Sequence, residues 1–258
     1  AVLVAGRRSW LCDDAFITFR YSLNLARGNG LVYNAGERVE GYTNFLWTLW
    51  CSVPHFLDFD VEPFVISTGL VLFSVLLCRL YVLHSGAGDR GALPWALLGA
   101  ALAPALTDFA TCGLETCLVA LLVLTGYESL LRRQRLRAGL LFGLAVLSRP
   151  DAALLAALAG VWVFFEDVVA APADAPSLSR RTLVLGRLRG SLVFAVAVAA
   201  LVLPHLAFRV WYYGDVVPNT YHAKSGGASW WSQGAIYVGL FFGRYWPLAL
   251  APAVALLA

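Results

Sequence analysis

The stretch Pro63 to His84 reads PFVISTGLVLFSVLLCRLYVLH, twenty-two residues with Arg79 as its one formal charge before the terminal histidine. A helix needs about 20 predominantly apolar residues to cross the hydrocarbon of a bilayer, and this one has them. Similar runs recur on both sides of it, at Pro94 to Leu106, Leu114 to Leu131, Ala138 to Leu147, Ala152 to Phe165, Ser191 to Trp211 and Ala235 to Ala258. Composition agrees: 60% of the 258 residues are hydrophobic and only 14% charged, against roughly 25% charged in an average soluble domain. A soluble globular reading is therefore excluded. The expected fold class is all-α, a polytopic transmembrane helical bundle.

The runs at Pro94, Ala138 and Ala152 are short for a bilayer of about 30 Å and must borrow flanking residues, tilt little, or fail to cross. Ahead of Pro63 the chain changes character. Arg7 to Thr43 holds Asp13, Asp14, Arg20, Arg27, Glu37, Arg38 and Glu40, so it belongs in water or at the interface. Asn44 to Leu57 is apolar and aromatic but only about fourteen residues long, which suits an interfacial helix. Residues 7–62 thus read as a long first external loop with interfacial helices, and residues 63–258 as the bundle. Ala1 to Gly6 reads as the stub of an earlier helix. Glu166 to Arg189, with Pro172 and Pro176, is the linker-like segment.

Arginine placement orients the bundle, because short cytoplasmic loops carry the Lys and Arg excess. Arg132, Arg133, Arg135 and Arg137 form one dense group; Arg180, Arg181, Arg187 and Arg189 form another. With both groups inside, Ala138 to Leu147 and Ala152 to Phe165 make a pair of crossings whose turn, Ser148 to Asp151, faces out. Leu114 to Leu131 then runs inward, Thr107 to Glu115 is external, and Ser191 to Trp211 exits, leaving Tyr212 to Ser229 external. Pro63 to His84 runs inward, so Arg7 to Thr43 is outside as well. One topology gathers every unusual polar cluster on one face.

Those clusters are the candidate chemistry. Asp13 and Asp14 are adjacent carboxylates that need a cation, a metal or a proton-accepting task near a membrane. Their alternative is a helix N-terminus that favours acids through its dipole. On a helix the two point about 100° apart, so one faces a substrate while the other braces an arginine. Asn29 to Asn44, carrying Glu37, Glu40 and Tyr42 between glycines, reads as an ordered loop. Glu115 falls in the first turn of a span, where it serves either a site or a cap. Arg149-Pro150-Asp151 is a charged hinge, equally an internal ion pair or a substrate contact. In the cluster from Tyr212 to Lys224, which includes Asn219, the tyrosines, Tyr221 among them, suit the interfacial belt, while His222 and Lys224 suit an anionic head group at the membrane surface. His55, His84 and His205 receive no role. The five cysteines, Cys12, Cys51, Cys78, Cys112 and Cys117, show no zinc-type spacing and read as small apolar fillers.

Taken together, Asp13 to Tyr21 (DDAFITFRY), Gly28 to Asn34 (GNGLVYN), Gly36 to Thr43 (GERVEGYT), Gly113-Leu114-Glu115, Ser148 to Asp151 and Pro218 to Lys224 (PNTYHAK) resemble bacterial GT-C membrane glycosyltransferases. They are most similar to the group that includes the mycobacterial terminal arabinofuranosyltransferases. The resemblance implies a multi-pass enzyme of the bacterial inner membrane with its active site facing the periplasm or exterior. It implies transfer of a sugar, arabinofuranose for that group, from a polyprenyl-phosphate donor to a cell-envelope glycan or lipid acceptor. No nucleic-acid partner is implied. The essential aspartate of the first external loop maps onto Asp13 or Asp14, as acceptor base. Arg20, Arg149 and Lys224 are phosphate-binding candidates, and Glu37, Glu40 and Glu115 candidates for orienting sugar hydroxyls. A divalent cation on Asp13 and Asp14 is compatible with the reaction and not demanded by it. Proteins of this kind run longer, so the resemblance implies a partial GT-C-like domain whose C-terminal part is missing. The competing class is a transporter or lipid flippase, which would carry ionisable residues near mid-membrane and an inverted repeat.

Overall fold

The computed structural model describes residues 1–86, 93–169, 180–225 and 230–246, with the side chains of 167–169, 180–187 and 224–225 left out of the description. Helices are the only regular secondary structure among the described residues. Residues 1–220 form one compact unit and 221–258 a second.

In the first unit α1 spans Val2–Arg7, α2 Asp13–Ala26, α3 Phe45–Phe56 and α4 Val61–Gly86. The Asn44 to Leu57 and Pro63 to His84 segments are therefore the helices their composition indicates. The expected segment Pro94 to Leu106 is instead two short helices, α5 (Trp95–Leu102) and α6 (Pro104–Phe109). Pro104 is the reason: its ring biases Ala103 towards extended backbone, and Ala103 sits at φ −68°, ψ 112°. Then follow α7 (Thr116–Leu131), α8 (Arg135–Ser148), α9 (Ala152–Val169) and α10 (Arg180–Tyr213). The second arginine group is thus the opening of α10 and not a loop, since Arg and Leu are good helix formers and no proline occurs in α10 before Pro204. The proline-bearing centre of the linker-like segment, Pro172 and Pro176, lies outside the described residues.

Two helical stretches, Val61–Gly86 and Leu188–Tyr213, are long and apolar enough to cross a membrane. In a soluble protein such helices would be core. Here only 22% and 11% of their apolar windows are buried. Leu154, Leu158, Trp162 and Phe165 on α9, and Leu192, Val196 and Leu203 on α10, likewise point away from the protein. Exposed apolar surface of this extent marks a membrane or protein interface, and the two long helices are candidate membrane spans.

Helix α8 runs alongside α10 in the same direction, Gly139 against Phe194 and Gly143 against Val198. Phe142 of α8 meets Phe194 of α10 edge to face at 5.9 Å, within a cluster that adds Leu130, Ala156, Ala159 and Val163. Gly139 permits that crossing: a Cβ there would sit 2.5 Å from the Phe194 carbonyl oxygen. Small residues let helix backbones approach this closely when lipid supplies no hydrophobic drive between them. A second cluster, Ala15, Phe19, Trp47, Cys51, Val61 and Val65, joins α2, α3 and α4.

Ionisable side chains concentrate at the two ends of the bundle. At one end Glu128, buried, pairs with Arg79 and, at 2.7 Å, with Arg132, while Glu166 pairs with Arg135 at 2.7 Å and Arg133 at 3.4 Å. The opposite end begins at Glu115, ahead of the first residue of α7, about 20 Å away at 1.5 Å per residue.

Helix α11 spans Asn219–Ser225, and the second unit contains α12 (Trp231–Arg244), whose apolar residues Ile236, Tyr237, Leu240 and Phe241 are exposed. Much of the Ala235 to Ala258 segment, residues 247–258, lies outside the described residues.

Candidate active site

The Glu115 end of the bundle is assembled by three segments. Cys12 N–H donates to the Cys112 carbonyl at 3.0 Å, which seats the start of α2 on the turn leading into α7. Gly113 makes that turn at φ +86°, and a Cβ there would collide with Ala15 and Leu11 at 2.8 and 2.9 Å. The chain then delivers Glu115 at the N-cap of α7, yet its side chain makes no cap hydrogen bond.

Its carboxylate turns inward instead. Oε2 accepts from Asn44 Nδ2 at 2.8 Å, and Oε1 lies 3.6 Å from Arg149 Nε. Arg149, at the hinge between α8 and α9, also pairs with Asp151 at 3.2 Å. Glu115 is 5% exposed. Burial pushes its pKa above the usual carboxylate range, and the Asn44 hydrogen bond and Arg149 oppose that rise. Asn44 occupies the N-cap of α3 but, like Glu115, spends its side chain elsewhere: Nδ2 also lies 3.1 Å from the Thr18 hydroxyl, and Thr48 donates to its Oδ1 at 3.1 Å.

Thr18 links this network to the two aspartates. Residues four and seven apart share a helix face, so Asp14, Thr18 and Tyr21 line one side of α2, whereas Asp13 shares a face with Phe16 and Arg20. Both aspartates are exposed in the first turn. Asp14 is one turn before Thr18 on that face of α2, and Asp13 lies on another face. Arg20 is exposed and donates from Nε to the Tyr33 carbonyl at 3.0 Å.

The loop of 27–44 supplies a second group. Glu37 is exposed and accepts from Asn34 at 3.1 Å. Glu40 is buried and pairs with Arg209 of α10 at 2.8 Å; burial raises its pKa, with Arg209 pulling the other way. Tyr42, buried, packs edge to face on Tyr21 at 4.9 Å and lies 3.2 Å from the Tyr213 hydroxyl. Asn219 is exposed, and its backbone N–H donates to the Glu40 carbonyl at 2.9 Å. In the second unit Tyr221 and His222 are exposed and meet edge to face at 5.7 Å; the Lys224 side chain lies outside the described residues.

The structure therefore brings Asp14, Glu115, Arg149 and Asp151 to one end of the bundle and turns Glu40 and Tyr42 into its packing. Between α7 and α9 a cleft of about 400 Å³ opens beside them, with Arg149, Asp151 and Thr116 at its mouth and Val119, Ala120 and Leu155 along its wall. Among the described residues no group of three or more His, Cys, Asp or Glu side chains converges as metal ligands would. Sequence reasoning missed Thr18, Asn44 and Arg209. Arg209 had a readable signal, a lone charge inside an apolar run; Thr18 and Asn44 had none.

No family model matches the chain, and no solved structure matches it. Two relatives do. The chain is 34% identical, over a 276-residue alignment covering 97% of it and 41% of the relative, to a terminal beta-(1->2)-arabinofuranosyltransferase of Mycobacterium tuberculosis. It is 32% identical, over 272 aligned residues covering 92% of it and 36% of the relative, to the protein of the same name from Corynebacterium glutamicum. The resemblance carried by the motifs is thereby borne out. The chain spans about two fifths of the length of these relatives.

Proposed function

We propose that this chain forms a GT-C-like polytopic membrane domain of a glycosyltransferase. In this reading residues 7–62 carry interfacial helices on the external side and residues 63–258 belong to the transmembrane bundle. The enzyme transfers an arabinofuranose-type sugar from a polyprenyl-phosphate donor to a cell-envelope glycan or lipid acceptor at the external face of the bacterial inner membrane. The observation that carries the reading is the contact of Glu115 with Arg149 at the end of an apolar bundle where α2 also begins with Asp13 and Asp14, in a chain similar over nearly its whole length to two arabinofuranosyltransferases.

The cleft beside Arg149 has the amphiphilic character a lipid phosphate requires. Its mouth is charged and its wall apolar, so the guanidinium of Arg149 meets the phosphate while the prenyl chain follows the helices towards hydrocarbon. Asp14 accepts the proton of the acceptor hydroxyl as that oxygen bonds to the anomeric carbon. The bond from that carbon to the phosphate oxygen breaks at the same time, and the polyprenyl phosphate leaves with the bonding electrons. Phosphate is a good leaving group, so no strong general acid is needed. Glu115 holds Arg149 in place and faces sugar hydroxyls from the floor of the site. Asp13 and Asp14 point about 100° apart on α2, and among the described residues no third ligand joins them, so no step is routed through a cation.

A transporter would keep ionisable groups near the middle of its spans. Among the described residues the ion pairs sit at the two ends of the bundle, which favours chemistry at a surface over passage through the core. The test is sugar transfer by the purified full-length protein from a polyprenyl-phosphoryl arabinofuranose donor. Transfer that is lost in Asp14→Asn supports the reading; full transfer by both Asp13→Asn and Asp14→Asn removes the catalytic assignment.

A further inference from the structure

Residues 39–44 run as an irregular strap between α2 and α10, and nearly every one of them is tied down. The Tyr21 hydroxyl donates to the Val39 carbonyl at 2.6 Å and accepts from Gly41 N–H at 2.7 Å. Tyr42 packs on Tyr21 and Tyr213. Phe45, just beyond the strap, stacks on His205 of α10 at 4.3 Å. Asn44 ends the strap on Thr18 and Glu115. The charged tie is Glu40 to Arg209, both at least nine-tenths buried and 169 residues apart. Arg209 keeps Nη2 buried without a partner, so the pair is held although it is not fully satisfied. A buried ion pair of this kind is weak evidence for stability and a natural device for holding one register.

We propose that Arg209 is a positioning residue for the active site: through Glu40 it latches the 39–44 strap to α10 and so keeps the Asn44 amide on the Glu115 carboxylate. The inference rests on the glycosyl-transfer reading for its kinetic consequence but not for its structural one. Arg209 lies at the far end of the strap from Glu115 and acts on the site only through Asn44.

The experiment uses the full-length protein in lipid nanodiscs, as Arg209→Met, Arg209→Lys, Asn44→Ala and the Arg209→Met/Asn44→Ala double variant. Amide hydrogen exchange is followed over residues 39–44, and kcat and KM are measured with polyprenyl-phosphoryl arabinofuranose. Arg209→Met is expected to speed exchange across the strap and to lower kcat about tenfold or more with the donor KM within about twofold, as loss of alignment does. Arg209→Lys restores most of both. The double variant is no slower than Asn44→Ala alone. The latch is overturned by unchanged strap exchange in folded Arg209→Met, by a KM rise without a kcat loss, or by losses that multiply in the double variant. Should Arg209→Met not fold, Glu40→Gln carries the same exchange and kinetic readouts. If the wild type transfers no sugar from this donor, the functional reading falls while strap exchange still decides the latch.

Discussion

Asn44 Nδ2 donates to Glu115 Oε2 at 2.8 Å, a buried contact between residues 71 apart in sequence that both stand at helix N-caps and cap neither helix. Each side chain gives up the local hydrogen bond its position offers in order to make the long-range one. The exchange helps bind the 27–44 loop to the start of α7.

Removing the amide exposes its contribution. Asn44→Ala leaves a buried carboxylate short of a donor, a change that costs about 1–3 kcal/mol. Asn44→Asp should cost more, because it sets a second acid against Glu115. Thermal unfolding of both variants in detergent checks the order: Asp below Ala below wild type.

The raised pKa of Glu115 fixes a pH dependence. A group whose folded pKa lies above its unfolded value adds stability below the unfolded value, near 4.5, and loses it as pH rises through the folded value. Wild-type stability should therefore fall across that window. Glu115→Gln should flatten the fall, leaving the part owed to Glu40, whose pKa is raised for the same reason. Unfolding midpoints measured from pH 4 upward would show equal slopes if the assignment were wrong.

The two aspartates should separate. Asp14→Asn lowers kcat/KM by about 100-fold or more, the contribution of a positioned base, while Asp13→Asn, on the other face of α2, stays within about tenfold of wild type. Reversal of that order, measured by sugar transfer, would move the base to Asp13.

Arg149→Lys keeps the charge but loses the Nε that reaches Glu115 and Asp151 and the planar guanidinium edge that would take a phosphate bidentately. Donor KM should rise about tenfold with a smaller change in kcat, since a point charge replaces bidentate recognition. Steady-state kinetics against donor concentration would tell this apart from a loss of fold, which lowers the active fraction without changing KM.

Gly139 offers a packing test away from the chemistry. Gly139→Val must push α8 off the Phe194 carbonyl and should cost about 1–3 kcal/mol. Gly99→Ala, where an added Cβ meets nothing within 4 Å, should be neutral or stabilising by up to about 1 kcal/mol. Paired melting curves would show whether the α8–α10 crossing is as tight as the geometry states.

The positions of α3, α4, α7, α8 and α9 were legible in the sequence to within a few residues, because run length and apolar content are local properties. So was the sorting of Glu115, Arg149-Pro150-Asp151 and the Asp13-Asp14 pair to one end, since antiparallel neighbours joined by short turns alternate direction. The break at Ala103 and the helical start of α10 were not read correctly: one hung on a single proline, the other on a basic stretch that resembles a loop by charge and a helix by propensity.

What the sequence by itself determined is that the chain is helical, that its apolar surface is suited to lipid, and which polar residues share an end. Only the tertiary structure decided that Glu40 is consumed by Arg209 while Glu115 faces Asn44 and Arg149. Partner choice between residues 169 or 71 positions apart depends on where helices cross and which faces they present. Such geometry is a sum over many weak packing contacts, and no local pattern in the sequence encodes it.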